Sequence, residues 1–145
     1  IGGNNVYITG ATEVTGNLHV MGSITKTDGY SALEPTLNYG KRLLYANESP
    51  GLLYCDQGRA RLKDGECIVY LDPIFLECIE PDTDLTPWLF KTEVYGLGES
   101  VRVIEWGNNY FRVKEENGGT SDRLFGWWFE ATRKNYAGIR LLEVI

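Results

Sequence analysis

The 145-residue sequence has a single histidine, His19, and a single methionine, Met21. One imidazole per chain leaves no Ser/His/Asp or Cys/His arrangement to build at a sensible distance. Cysteine is scarce and odd in number: Cys55, Cys67 and Cys78. Separations of about a dozen residues fit neither a zinc knuckle nor a CxxC redox pair. Two readings stay open: free thiols in a protein made in a reducing cytosol, or one disulfide with a spare thiol. Positive charge is also short, with 14 Lys and Arg against 20 Asp and Glu, a net charge of −6. That balance argues against nonspecific nucleic-acid binding and, more weakly, against an anionic membrane surface. No apolar run approaches the ~20 residues that span a bilayer. A glycine- and asparagine-rich start without basic residues gives no sign of a signal peptide. Because the sequence begins at Ile1, it is expected to be a piece of a longer protein. Nucleotide-binding glycine fingerprints are missing as well, so no cofactor and no metal site are expected.

What is present begins with four six-residue blocks from Asn5: NVYITG, ATEVTG, NLHVMG and SITKTD. Gly10, Gly16 and Gly22 close the first three, and Asp28 takes that place in the fourth. Within a block apolar residues sit two apart, the strand period, and glycine recurs where the chain must bend. Solenoids need at least ~3 stacked repeats to bury a core, and four hexads give little more than one triangular coil. Three copies of the chain remove the difficulty. Val6, Ile8, Val14, Leu18, Val20 and Ile24 would then converge on a threefold axis, with strand edges paired by neighbouring chains. An ordinary strand pair with turn glycines is the plainer alternative. His19 lies opposite to Leu18 and Val20 in the pattern and is expected to point outward; the sharper reading is a ring of three that traps an ion.

Turn formers over 25–40 read as a linker that ends the repeat. From Lys41 short strands follow at spacings of about eight to twelve residues, the pattern of an antiparallel sandwich or small barrel. Arg59–Leu62 and Glu66–Leu71 flank a tight hairpin at Lys63-Asp64-Gly65. In the second of these, Ile68 and Tyr70 face one way and Cys67, Val69 and Leu71 the other. Asp72-Pro73 predicts one helical turn with Asp72 as its cap. Trp88–Tyr95, Ser100–Trp106, Tyr110–Glu115 and Leu124–Arg133 read as strands, the last with Phe125, Trp127 and Phe129 on one face. Ile139–Ile145 reads as an edge or interface strand. The expected architecture is mainly β: a trimeric hexad-repeat shaft (1–28), a linker (29–40) and an antiparallel β-sandwich head (41–145).

Acidic pairs occur at Glu77/Glu80, Asp82/Asp84 and Glu115/Glu116. Glycoside hydrolysis needs two carboxylates across a cleft, and these read instead as solvated loop charge. Asp82 and Asp84 alone are too few oxygen ligands for a calcium loop. Aromatics are plentiful: four Trp, nine Tyr and five Phe. Most are expected in the core. Trp106 and Tyr110 bracket a hairpin tip, and Trp127-Trp128 are adjacent, so one of that pair must face outward. Exposed rings suit sugar stacking or protein interfaces, which makes Trp106, Tyr110 and Trp128 the candidate glycan contacts.

The segments NYGKRLLYANESP, GECIVYLDPIFLECI, WLFKTEVYG, NNYFRVKE and FGWWFEATRKNY, preceded by GNLHVMGSI, resemble the C-terminal domain of bacteriophage and prophage tail-fibre and minor tail structural proteins. The resemblance covers nearly the whole chain. It implies a homotrimer in the virion tail, assembled in the bacterial cytoplasm beside other tail proteins. It also implies a role in virion structure and host attachment, with surface polysaccharide as the partner. It carries over no catalytic residue, and no enzyme activity is expected. The rival expectation is a trimerisation knob without a ligand.

Overall fold

The computed structural model describes residues 8–22, 24 and 30–143. The described chain is mainly β, with antiparallel strand pairing. It divides into two compact units, Ile1–Glu48 and Ser49–Ile145.

In the first unit residues 8–22 form no strand. Glycine bends fall at the block ends, with φ of 108° at Gly10 and 145° at Gly16. The apolar columns stand open: Ile8, Val14, Leu18, Val20 and Ile24 are between 41% and 68% exposed. Val6 lies outside the described residues. The stretch expected as a linker over 29–40 carries strand β1 (Ser31–Thr36), which pairs with β2 (Gly40–Tyr45). Thr36 closes the turn, its Oγ1 donating to the Gly40 carbonyl (2.7 Å) and accepting from the Tyr39 N–H (3.1 Å). Pro35 sits in β1 opposite Lys41. A two-stranded ribbon tolerates it because each strand has one unpaired edge. The compact division thus falls after Glu48 and not at residue 41.

The second unit holds β3 (Leu53–Arg61), β4 (Glu66–Tyr70), helix α1 (Pro73–Glu77), β5 (Leu89–Val94), β6 (Val101–Trp106), β7 (Tyr110–Glu115) and β8 (Leu124–Thr132). One sheet runs β3-β8-β5 and the other β4-β7-β6. The long central strand β8 alternates as its sequence predicts, burying Phe125, Phe129 and Ala131 and turning Trp127 toward the same core. From the other sheet Val69, Val101, Phe111 and Val113 join that core. Phe90 links the two sheets, stacked on Phe129 at 5.1 Å and tilted on Phe111 at 5.0 Å. Offset and edge-on ring pairs of this kind add to the area that they bury.

Two expectations need correction. Lys63-Asp64-Gly65 does make a tight turn, with φ of 52° and 77° at Asp64 and Gly65 and mutual backbone bonds between Lys63 and Glu66. It does not join partners within one sheet, because β3 and β4 belong to different sheets. The turn carries the chain from one sheet to the other. Ile139–Ile145 forms no strand among its described residues; an isolated bridge, Gly51 to Arg140, is all that pairs there.

Helix α1 forms where the sequence predicts it. Asp72 Oδ1 accepts from the N–H groups of Ile74 (2.7 Å) and Phe75 (3.2 Å), and Pro73 occupies the first turn. These are the free donors of a helix start. The helix lays Phe75 edge-on against Phe129 at 5.8 Å.

Candidate functional site

The three expected contact residues lie on three different surfaces. Trp106 pairs in register with buried Phe111, which puts it on the core side of its sheet, at the end of β6. Its ring leans on Phe90 at 5.9 Å, and its indole N–H donates to Asp82 Oδ2 at 2.7 Å. Asp82 Oδ1 accepts the Trp88 N–H at 2.8 Å, so both oxygens of this carboxylate tie down the loop ahead of β5. Tyr110 turns to the opposite face. Its hydroxyl donates to Glu105 Oε1 (2.6 Å), and with Ile68, Tyr70 and Arg112 it lines a shallow hollow of about 190 Å³.

That face of β4-β7-β6 is a ladder of paired charges, although the Arg112 Nε is covered and without a partner among the described residues. Arg112 pairs with Glu105 (2.6 Å), Lys114 with Glu66 (2.6 Å), and Arg102 with Glu116. The Tyr110 hydroxyl, ahead of Arg112, holds the Glu105 carboxyl below its usual range, and the same bond pushes the phenol up. Lys114 likewise lowers Glu66. Cross-strand charge pairs at such exposure are screened by solvent and add little to stability.

Trp128 sits elsewhere, on the outer face of β3-β8-β5. The register sets Gln57, Trp128 and Lys91 in one row and Arg59, Gly126 and Glu93 in the next outward-facing row. Together with Tyr95 these residues line an open groove of about 770 Å³. Gly126 forms its floor, with the Tyr95 hydroxyl 3.2 Å from where a side chain would start. A glycine inside a strand marks such close approach. Lys91 Nζ lies 4.0 Å from Glu130, while among the described residues the side chains of Arg59 and Glu93 have no hydrogen bond or ion pair. The Trp128 indole nitrogen is covered and unpartnered.

Comparison of the chain with protein-family models, with curated proteins and with solved structures finds no match. The site therefore stands on its own geometry.

Of the acidic pairs, Glu115 departs most from a solvated loop charge. It ends β7 facing the core, 3% exposed, and is ion-paired with Arg123. Ser121 adds its N–H (2.7 Å) and its hydroxyl (2.6 Å). Arg123 and then Ser121 hold the Glu115 pKa down to about 2. Arg123 also donates to the Glu99 carbonyl at 2.6 Å, so one ion pair pins the β5–β6 and β7–β8 connections. The three cysteines are free thiols, and burial pushes the Cys67 thiol up. Among the described residues no cluster of three or more His, Cys, Asp or Glu could hold a metal ion. Among them, too, no helix is long and apolar enough to cross a membrane.

The outward partners of Trp128 were not anticipated from the sequence. Gly126, a lone glycine inside the strongest strand pattern, was the available signal. Placing Arg59, Gln57, Lys91 and Glu93 beside it required the register of strands far apart in the chain.

Proposed function

We propose that this chain is a homotrimeric structural module of a bacteriophage tail, whose head attaches to a bacterial surface glycan. The hexads zip three chains into a β-shaft and fix their register. The two antiparallel sheets and their shared core are read as a β-sandwich head, carried in three copies. Three copies turn weak single-site contacts into avid attachment through effective concentration. Catalysis has no part in this reading.

One observation carries it. The columns of Ile8, Val14, Leu18, Val20 and Ile24 are exposed in the single chain, although their two-residue spacing is that of a buried strand face. Apolar rows of this kind mark an interaction surface. The groove at Trp128 supports the attachment half of the reading.

Adsorption of fluorescently labelled protein to a panel of bacterial strains tests the proposal. The native protein is expected to coat some strains and not others. A Val14→Asp/Val20→Asp double variant should lose that coating while keeping a folded head. Equal adsorption by both proteins counts against avidity, and failure of the native protein on every strain favours a trimerisation knob without a ligand.

A further inference from the structure

Building on the attachment reading above, we propose that the groove over Gly126 binds one uncharged pyranose ring of a saccharide. The ring stacks on Trp128 and is held between Arg59 and Glu93.

The four tryptophans sort by what they do. Trp88 donates its indole N–H to the Glu80 carbonyl at 2.8 Å, and Trp106 donates to Asp82 at 2.7 Å. Trp127 packs edge-on against Phe111 at 5.7 Å. Trp128 has no such structural tie, and it lines the groove. An aromatic wall of this kind suits the apolar C–H face of a sugar ring.

The charges around it are unlike those of the other sheet. There Arg102, Arg112 and Lys114 are all ion-paired. Here Arg59 and Glu93 stand in one register row with Gly126 between them and remain unpaired. Two strand spacings separate their backbones by roughly 9–10 Å, and the middle position carries no side chain. The gap suits a ring whose hydroxyls both donate and accept, taking hydrogen bonds from the guanidinium and giving them to the carboxylate. Gln57 adds a donor and an acceptor beside Trp128. Arg59 and Lys91 are balanced by Glu93 and by Glu130 next to Lys91, so the groove has no net charge to attract an anion. The volume falls within the range of small-molecule sites, while the open shape points to weak binding per head.

The test is a titration of the native protein with maltotriose, cellotriose and triacetylchitotriose, and separately with poly(glycerol phosphate), following the indole N–H resonances by NMR. At least one neutral trisaccharide is expected to move the Trp128 resonance and to leave Trp106 in place. Trp128→Ala and Arg59→Gln should each weaken that binding roughly tenfold or more. Arg59 is exposed, so its variant keeps the experiment readable if Trp128→Ala unfolds. No shift with any neutral probe overturns the proposal, as does native-like binding by both variants. Binding confined to poly(glycerol phosphate) and abolished by salt overturns it too, in favour of an anion site. Sedimentation of the same samples separates the two claims: a trimer without sugar binding removes the groove, and a monomer that binds sugar removes the assembly.

Discussion

Glu115 shows how much one side chain can hold. Its carboxylate receives Arg123 and two bonds from Ser121 in a setting almost free of solvent. Its pKa falls from 4.5 to about 2, so the folded state binds fewer protons than the unfolded chain between those values. The associated stability is complete above about pH 4.5 and is lost as the pH falls toward about 2. One unit corresponds to ~1.4 kcal/mol, so a shift of this size corresponds to roughly 3–4 kcal/mol at neutral pH. Urea unfolding should show Glu115→Gln less stable than wild type at pH 7 by about that amount, with the gap closing as the pH drops through this window. A gap that does not change with pH would show that the ion pair is not the source. Gly65 is the second decisive residue. It has φ of 77°, and a Cβ there would meet the Gly119 carbonyl oxygen at 2.0 Å. Gly65→Ala is expected to cost about 2–4 kcal/mol, read as a lowered midpoint in the same titration; a loss below about 0.5 kcal/mol would mean the turn relaxes freely.

At the scale of elements, the parts legible in the sequence were those set by neighbours along the chain. Asp72-Pro73 signalled α1, because a cap and a first-turn proline act within three residues. The alternation in β8 signalled its inner face, since Phe125, Trp127 and Phe129 need only the strand period. Asp72→Ala should therefore lower stability by about 1 kcal/mol and loosen Phe75 from Phe129, which thermal melts and near-UV circular dichroism can follow. An unchanged melt would place the helix under the control of core packing alone. Features that depend on pairing between distant segments were not legible. The turn at Asp64-Gly65 gave no hint that β3 and β4 join different sheets. Glu115 sits three residues before Gly118-Gly119 and read as loop charge, because Arg123 and Ser121 reach it only once β7 and β8 are in place. The groove was half-visible: Trp128 had to face outward, but its companions on β3 and β5 come from the register. Strand β1 was hidden by Pro35, a residue that normally argues against a strand.

For the whole molecule, the first unit is the one that a single chain leaves unfinished. All described residues of Ile8–Glu48 are exposed, including Leu33, Leu43 and Leu44 in the β1–β2 hairpin. A lone two-stranded hairpin is marginal in water, and a row of apolar side chains open to solvent gains nothing from the hydrophobic effect. Assembly of three chains resolves both in the proposed account. Val14→Asp with Val20→Asp would bring like charges together in a dry axis, at a cost of several kcal/mol per uncompensated ion. The second unit has its own core of Phe111, Phe125, Phe129 and their neighbours, so the double variant should keep its near-UV signal. Loss of that signal would mean that the two units are not independent.

The most direct measurement is the mass of the native protein in solution by light scattering coupled to size exclusion. The account predicts three times the 16.4 kDa chain mass for the native protein and one chain mass for the Val14→Asp/Val20→Asp variant. A native protein that elutes and scatters as a single chain would contradict it.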